Sequence, residues 1–314
     1  MLLLWHTVDE NFGDVLIYNT VKEFLEMKGF ISDYMDVGEP CIKIIQKANE
    51  YDFLLFAGGG IIERYVPNVI RYFEEDIIEL KVPYGVIGLS IGNFDYSKHL
   101  NSISCWIKNA TFFYTRDYYS AQKLNQMCGI EKVKVGVDVV WANKRIYQQL
   151  NNREIHYGIN VRDVPYLDIG EDMNWGKLKE IIIKNGVTIQ IPDESQIAIE
   201  GLEQYTYSID EVINQISKCK VIIAMRYHVV LVAALMGIPT IPIVYCNKVH
   251  ELSSQLNLNR YEVTVPQIGM ITDKILDIQR NYNSVKNTLL QRTECMIKSS
   301  LDILETITGN IINC

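Results

Sequence analysis

The stretch VIIAMRYHVVLVAALMGIPTIPIVYC, residues 221–246, decides the fold of this chain. A short apolar run reaches Met225, a polar turn follows, and a longer apolar stretch ends at Gly237, beyond which β-branched residues resume. The uncharged part, Val229–Cys246, approaches the ~20 residues that a membrane helix needs. Gly237 and two prolines divide it into halves too short to span, so the stretch predicts a buried strand, a helix and a second buried strand.

The same alternation continues toward both ends of the chain. Short apolar runs predict eleven strands, at Leu2–His6, Ser32–Val37, Asp52–Ala57, Tyr84–Ser90, Thr111–Thr115, Val133–Val139, Ile155–Val161, Val187–Ile191, Val221–Met225, Thr240–Tyr245 and Tyr261–Val265. Amphipathic stretches predict the helices between them, at Gly13–Lys28, Pro40–Asn49, Pro67–Leu80, Tyr96–Lys108, Tyr118–Met127, Asn174–Asn185, Ile209–Ser217, His228–Met236 and Lys248–Leu256. Strands that alternate with helices indicate parallel sheets covered by helices on both faces.

The domain organisation follows from a polar interruption near the middle of the chain. Asn143–Glu154 contains almost no strand-forming residue, and the apolar alternation restarts after it. The chain has 314 residues, enough for two domains of ordinary size. The sequence therefore predicts an α/β protein of two tandem doubly wound, Rossmann-like parallel-sheet domains, residues 1–148 and 149–314. Apolar residues at helical spacing from Ile268 onward add C-terminal helices to the second domain.

The composition excludes several classes of protein. The chain carries 30 Lys and Arg against 38 Asp and Glu, which argues against nucleic acid as a partner because such binding needs clustered cations. The seven cysteines include no C-x-x-C pair and no Cys/His cluster with zinc spacing, so we expect no metal and a reducing compartment. No positively charged, apolar leader opens the sequence, which predicts a cytoplasmic protein.

Ligands of open parallel sheets bind beyond the carboxyl ends of the strands, so we expect the site in the cleft between the two domains. The loop Asn11-Phe12-Gly13-Asp14 follows the first strand. Gly13 permits a tight turn, and Asn11 or Asp14 can cap the next helix. The loop is either an ordinary strand-to-helix turn or a source of polar groups, from Asn11 and Asp14, for a hydroxylated ligand.

Two glycine-rich segments end the third and fourth strands. They are Ala57-Gly58-Gly59-Gly60 and Gly88-Leu89-Ser90-Ile91-Gly92. Neighbouring glycines expose backbone N–H groups and let a ligand approach closely. Their spacing matches neither the dinucleotide fingerprint nor the Walker phosphate loop. We expect a cleft floor kept free of side chains, with Gly59, Gly60 and Ser90 among the substrate-binding residues.

Two charged positions in the first half have a structural and a functional interpretation. Arg116 and Asp117, in Thr115-Arg116-Asp117, form either a surface ion pair or a brace for the cleft. Asp138 stands inside an apolar run, where a carboxylate must be paired or must end the strand facing the site. For Asp138 we favour the position facing the site.

The second half carries the strongest chemical pattern. Arg162 and Arg226 each follow an apolar strand, and His228 begins the helix after Arg226. The guanidinium fork binds oxyanions in a bidentate manner, and the amides at a helix N-terminus favour an anion. This arrangement is expected for a ligand with a phosphate and a carboxylate, and His228 can supply a proton near neutral pH.

Together these motifs resemble the polysaccharide pyruvyl transferase family. The resemblance covers roughly residues 8–258, and the block from Arg226 to Lys248 is its most specific part. Members transfer the enolpyruvyl part of phosphoenolpyruvate to a sugar as a ketal, on a two-domain fold similar to the glycosyltransferase-B enzymes. By this resemblance Arg162, Arg226 and His228 bind the donor, and Lys248 adds a substrate-binding cation.

The resemblance implies a transferase that needs phosphoenolpyruvate as co-substrate and no other cofactor or metal. His228 is the candidate general acid, whereas Asp138, Asp14 or Asn11 orients or deprotonates the acceptor. The expected acceptor is a saccharide unit of a capsule or another cell-surface exopolysaccharide, with a polyprenyl-linked oligosaccharide as the first hypothesis. The protein would then act at the cytoplasmic face of the membrane with only peripheral contact.

Two other functions stay open at the level of the sequence. A glycosyltransferase could use the same cleft for a nucleotide sugar, whose diphosphate Arg226 and Lys248 would bind. A non-catalytic relative would have the same fold and bind a sugar without transferring a group to it. Phosphate release from phosphoenolpyruvate in the presence of an oligosaccharide separates the three.

Overall fold

The computed structural model describes residues 1–5, 11–36, 38–62, 66–147, 153–161, 186–189 and 208–313. The chain forms two compact units. The first contains Met1–Ala142 together with Met296–Cys314, and the second contains Asn143–Cys295. Each unit is built around one parallel sheet. The predicted α/β architecture is thereby confirmed.

The first sheet has six strands, in the spatial order β2-β1-β3-β4-β5-β6. Every described pairing in it is parallel. The strands are β1 Leu2–Trp5, β2 Asp33–Asp36, β3 Leu54–Ile62, β4 Tyr84–Ile91, β5 Phe112–Thr115 and β6 Lys134–Val135. Because β3 and β4 lie inside the sheet and are covered on both faces, their side chains are apolar almost without interruption.

Helices cover this sheet and close its core. They are α1 Phe12–Met27, α2 Cys41–Ala48, α3 Asn68–Arg71, α4 Phe73–Asp76, α5 Leu100–Asn109 and α6 Tyr118–Cys128, with 3₁₀ turns at Ile77–Glu79, Ser97–His99 and Val139–Ala142. Trp106 of α5 is fully buried, and its ring meets the rings of Phe56 and Phe113 edge to face at centroid distances of 5.3 and 4.9 Å. Such aromatic contacts fix α5 on the sheet.

The second sheet has the spatial order β11-β10-β9-β7-β8 and is also parallel. Its strands are β7 Ile155–Asn160, β8 Gly186–Thr188, β9 Cys219–Ala224, β10 Thr240–Val244 and β11 Val263–Thr264. Counted within its own unit, this order is 2-1-3-4-5, which the first sheet also follows before its extra edge strand β6. In both sheets the strand order therefore reverses at the same place, between the first and third strands of the unit.

The described helices of the second unit are α7 Lys144–Tyr147, α8 Ile209–Ser217, α9 Tyr227–Leu235, α10 Asn247–Gln255 and α11 Ile271–Arg280, with 3₁₀ turns at Asn259–Tyr261 and Val265–Met270. Helix α7 lies inside the predicted linker, so that polar stretch is partly helical. The predicted helix 174–185 falls outside the described residues. No helix in the described part of the chain is long and apolar enough to cross a membrane.

The last helix, α12 Tyr282–Ile312, corrects the predicted second domain. The sequence assigned all C-terminal helices to residues 149–314, whereas the part of α12 from Met296 onward packs with the first unit. There Leu304 and Ile307 are fully buried, and Ser300 Oγ donates to the carbonyl of Val139 at 3.2 Å. The apolar spacing of the sequence predicts a helix, but it does not show against which core that helix packs.

Candidate active site

The two reversal points of the sheets define where ligands are expected. Where neighbouring strands send their connections to opposite faces, a crevice opens beyond their carboxyl ends. In the first unit this point lies between β1 and β3, where Asn11, Asp14 and the glycines of β3 are found. In the second it lies between β7 and β9, and Arg226 and His228 follow β9 directly. The candidate residues of each unit are described within that unit.

Asn11 acts as the N-cap of α1. Its backbone is extended, and its Oδ1 accepts the N–H groups of Gly13 and Asp14 at 3.0 and 3.1 Å. The amide oxygen thus satisfies two of the donors that a helix start leaves open. The sequence left a turn and a ligand group as alternatives, and these bonds show that Asn11 performs the capping role. Its predicted substrate contact stays a prediction.

Asp14 lies against the glycines of β3. Gly59 has φ +82°, and a Cβ built on it would stand 2.8 Å from Asp14 Oδ1. Gly58 has φ +60°, and its Cβ would stand 3.0 Å from Cγ2 of Ile17 on the same helix. Only glycine allows α1 to approach the strand this closely in this conformation. The carboxylate of half-buried Asp14 is consequently held beside Gly59, in the carboxyl-terminal half of β3.

The strand that carries the glycines is longer than predicted. Strand β3 continues past Ala57 to Ile62, and its pairing with β4 shifts register between Gly59 and Ile62. Strand β4 has a matching irregularity at Gly88, whose φ is +65° and whose Cβ would stand 3.4 Å from Gly58 Cα. The two strands bulge side by side, so the ladder persists through them. Within this bulge the half-buried residue is Gly60.

Arg116 is the centre of a buried polar network. Its side chain is 2% exposed, Nη1 donates to Asp138 Oδ2 at 3.3 Å, and Nη2 donates to Ser90 Oγ at 2.6 Å. Asp138, 1% exposed, also accepts the N–H of Val140 at 3.0 Å through Oδ1. Of the two alternatives for Asp138, the structure shows the paired one. Asp138 lies between the short strand β6 and the 3₁₀ turn Val139–Ala142, whereas the sequence predicted one strand over Val133–Val139.

Asp117 has a separate role from its neighbour. It is the N-cap of α6, where Oδ1 accepts the N–H of Ser120 at 2.7 Å and Oδ2 accepts the hydroxyl of the same residue at 2.9 Å. Ser120 Oγ in turn accepts the N–H of Ile91 at 3.1 Å. Arg116 therefore forms a buried ion pair with Asp138, not one on the surface, and Asp117 caps α6; both contacts lie within the first unit. Neither requires a ligand.

In the second unit a buried amide fixes the turn that carries Arg226. Asn160, the last residue of β7, is 1% exposed, and its Nδ2 donates to the carbonyl of Ile189 at 3.0 Å. Its Oδ1 accepts the N–H of Arg226 at 3.4 Å, and its carbonyl accepts the N–H of Met225 at 2.9 Å. The sequence analysis missed this residue. The signal was an asparagine at the end of an apolar strand.

Helix α9 presents His228 from an otherwise buried surface. Eight of its residues are buried, and His228, in its first turn, is the half-buried one. The imidazole packs edge to face on the ring of Tyr227 at a centroid distance of 5.0 Å. Arg226 precedes the helix as its N-cap residue, with φ −79° and ψ 130°. The helix N-terminus, the guanidinium and the imidazole thus occupy one end of β9.

The other end of α9 is anchored as well. Arg153 donates through Nη2 to the carbonyl of Met236 at 2.7 Å and through Nη1 to the hydroxyl of Tyr282 at 3.1 Å. Gly237 ends the helix at φ +61°, and a Cβ there would stand 2.6 Å from Leu290 Cδ2. A cationic side chain at a helix C-terminus complements its dipole. Because both ends are tied, the position of His228 is fixed by the unit itself.

Lys248 extends this cationic edge to the next strand. It lies in the first turn of α10, which follows β10, the neighbour of β9 in the sheet, and its side chain is half-buried. Arg162 follows β7 in the sequence but lies outside the described residues. The edge that the structure describes therefore combines Arg226, His228 and Lys248, an arrangement suited to a ligand with several negative charges.

Two cysteines are unsuited to act as nucleophiles. Burial raises the pKa of the Cys219 thiol to about 12 and also raises the pKa of Cys41, so both are neutral thiols near pH 7. Among the described residues there is no group of three His, Cys, Asp or Glu side chains placed to hold a metal ion.

Comparison with known proteins defines the family and the fold. A sequence model described as polysaccharide pyruvyl transferase matches residues 11–247. None of the curated protein sequences matches the chain. A Listeria monocytogenes protein described as a UDP-N-acetylglucosamine 2-epimerase superposes with a TM-score of 0.69 at 12% identity, over 100% of this chain and 96% of the other.

Two further structures give the same result. The UDP-GlcNAc 2-epimerase of Neisseria meningitidis, solved with UDP-GlcNAc, has a TM-score of 0.61 at 12% identity and covers 98% of this chain and 99% of its own. A glycosyltransferase of Rickettsia africae has a TM-score of 0.58 at 12% identity, with 98% of each chain covered. At these identities the likeness shows the glycosyltransferase-B fold. With the match over residues 11–247, the chain belongs to the polysaccharide pyruvyl transferase family and is a transferase.

Proposed function

We propose that this transferase takes the enolpyruvyl group of phosphoenolpyruvate and forms a pyruvate ketal on a sugar, releasing phosphate. The observation that supports the donor is the cationic edge of the second unit. Arg226 and His228 lie at the N-terminus of the buried helix α9, with Lys248 after the neighbouring strand. Phosphoenolpyruvate carries a phosphate and a carboxylate, so it needs more than one cationic group. Arg162, which follows β7, is the proposed second guanidinium.

The proposed reaction uses His228 as general acid. A proton passes from the imidazolium to C3 of the donor, converting the methylene into a methyl group and leaving positive charge on C2. A sugar hydroxyl attacks C2 and loses its proton, and a second hydroxyl of the same sugar then displaces phosphate from C2. The C2–O bond to phosphate breaks, two C–O bonds to the sugar form, and the phosphate leaves with the second proton. No oxidant or reductant is required.

Asp14 is the proposed base for the acceptor. It lies half-buried beside Gly59 in the carboxyl-terminal half of β3, and the neighbouring Gly60 in the bulge is also half-buried. Asp138 was an equal candidate from the sequence, but it is held by Arg116 and by the N–H of Val140. A carboxylate bonded to a guanidinium is a poor proton acceptor. We therefore propose Asp14, and not Asp138, as the base.

The acceptor is proposed to be a saccharide unit of a cell-surface polysaccharide, such as a polyprenyl-linked oligosaccharide at the cytoplasmic face of the membrane. An acceptor library incubated with phosphoenolpyruvate and the purified chain tests the function. We expect phosphate release that depends on the acceptor and a product whose mass increases by one pyruvate ketal. Consumption of a nucleotide sugar in place of phosphoenolpyruvate would contradict the proposal and favour a glycosyltransferase. Glycan binding without turnover of either donor would identify a non-catalytic relative.

The donor site makes a direct prediction for Arg226. Arg226→Ala removes a charge-assisted partner of the donor, which costs about 2–3 kcal/mol, or roughly 30- to 150-fold in affinity for phosphoenolpyruvate measured by calorimetry. Arg260→Ala is the matched control, because Arg260 is exposed, pairs with Asp277 at 2.8 Å, and precedes β11 at the amino end of that strand and not at a carboxyl end. Equal donor affinity in both variants would remove Arg226 from the site.

A further inference from the structure

A group of aromatic and polar side chains at the carboxyl end of β4 has no part in the chemistry proposed above. We define this aromatic cluster as Asn93, Phe94, Tyr96, Tyr119 and Lys123. The first three follow β4 in the chain, and the last two lie on α6, which follows the neighbouring strand β5. The cluster thus occupies the edge of the first sheet at which ligands of parallel sheets bind.

The cluster is held rigidly by its own hydrogen bonds. The hydroxyl of Tyr96 donates to the carbonyl of Ile62, the last residue of β3, and accepts the N–H of Gly92 at 3.2 Å. Lys123 Nζ donates to the carbonyl of Gly92 at 2.8 Å and to the hydroxyl of Tyr119 at 3.1 Å. These bonds tie the segment after β4 to both β3 and α6. Because these side chains are already ordered, a ligand that binds here loses little free energy to ordering them.

What the cluster presents to solvent is a mixture of ring surface and hydrogen-bonding groups. Phe94 is 37% exposed, and its ring packs edge to face on buried Tyr96 at a centroid distance of 5.2 Å. Tyr119 is half-buried, and its hydroxyl donates to Asn93 Oδ1 at 2.7 Å. Because this bond uses the amide oxygen of exposed Asn93, the amide nitrogen is turned away from Tyr119. The ammonium of Lys123 lies 5.4 Å from the centre of the Tyr119 ring.

We propose that the aromatic cluster is a subsite for a pyranose unit of the acceptor glycan. A pyranose ring has an apolar C–H face and a rim of hydroxyl groups. Phe94 and Tyr119 offer rings to the face, while the Asn93 amide and the Lys123 ammonium bond to hydroxyls on the rim. The inference rests on the proposed function, because the chain's family membership makes a sugar the acceptor. It adds where in the first unit a sugar residue is recognised.

Direct binding tests the subsite without any turnover. The probes are methyl glycosides of glucose, galactose, mannose and the N-acetylhexosamines, titrated into the full chain and followed by saturation-transfer NMR. We expect Phe94→Ala and Tyr119→Ala each to weaken binding of the preferred glycoside by about tenfold, since each removes an aromatic face. Phe94→Tyr, which keeps the ring, should bind normally. Tyr72→Ala is the matched control, because Tyr72 is 45% exposed between α3 and α4.

The outcomes separate this inference from the proposed function. Unchanged glycoside binding in the folded alanine variants, or no glycoside binding by the native chain, would overturn the subsite. The subsite would also be overturned if the alanine variants lost affinity for uridine diphosphate and not for the glycosides, because the rings would then stack on a nucleotide base. If the proposed function fails and the subsite is right, glycoside binding still falls in the variants although no phosphate is released. If only the subsite is wrong, Phe94→Ala releases phosphate with an unchanged KM for the acceptor.

Discussion

Gly59 and Gly29 have nearly the same φ angle in different surroundings. Their φ angles are +82° and +83°, but a Cβ on Gly59 would meet Asp14 Oδ1 at 2.8 Å, whereas a Cβ on Gly29 would meet nothing within 4 Å. Gly29→Ala should therefore cost only the left-handed strain, about 1–2 kcal/mol in the free energy of unfolding. Gly59→Ala should cost more in urea titrations and should also displace Asp14 and lower turnover. Equal stability and activity in the two variants would contradict the close approach of α1.

His228 carries the mechanistic prediction at this scale. If it donates the proton to C3, His228→Gln should keep phosphoenolpyruvate affinity within a few-fold and lower turnover by ~10²–10⁴. The loss should fall on kcat more than on KM, because the proton transfer belongs to the transition state. His250→Gln is the control, since His250 is exposed and lies 3.1 Å from Glu262. A variant that keeps kcat and raises only the donor KM would make His228 a phosphate ligand.

The sequence shows some site residues and not others for a physical reason. Arg226 and His228 interrupt an apolar pattern that is regular on both sides, so a charge there marks a strand end. Asn160 also interrupts such a pattern, but its role depends on Ile189 and Arg226, which are distant in the sequence. Asp138 shows the same limit. A buried carboxylate must have a partner, but the sequence does not identify Arg116 as that partner.

At the scale of elements, Arg116 joins β4, β5 and the 3₁₀ turn at Val139–Ala142. Removing one member of a buried ion pair leaves the other uncompensated, which costs about 3–5 kcal/mol. Arg116→Met and Asp138→Asn should each lower the free energy of unfolding in urea by a large fraction of this amount. The double variant Arg116→Met/Asp138→Leu should lose less than the sum, because both charges are gone. A stable Asp138→Asn protein with abolished turnover would instead restore Asp138 as a catalytic residue.

The elements themselves were largely predictable. All eleven strands of the sequence analysis occur, because short apolar runs bounded by turns have few other stable solutions. The glycines of β3 are the main departure. The predicted third strand ends at Ala57, yet β3 continues through the three glycines to Ile62, and Gly88 in β4 bulges beside Gly58. The paired bulges depend on the contact between two adjacent strands, so the sequence of either strand alone does not predict them.

At the scale of the molecule, the two units share the strand order 2-1-3-4-5 although the sequence shows no repeat. The common order places the candidate groups of each unit at equivalent positions, after the first and third strands. The alternation of strands and helices does not predict that the unit boundary lies inside the last helix, between Cys295 and Met296. Helix α12 is amphipathic along its whole length of 31 residues, and its periodicity does not change where the packing partner changes.

Two leucines of α12 test which unit each part of the helix stabilises. Leu289 is 1% exposed and belongs to the second unit, whereas Leu304 is fully buried and belongs to the first. Either substitution by alanine removes the same buried atoms, at a cost of about 2–5 kcal/mol. In hydrogen exchange, Leu304→Ala should reduce the protection of amides in β4, and Leu289→Ala should reduce it in β9. If Leu304→Ala weakened β9 and spared β4, the final helix would belong to the second domain as the sequence alone predicted.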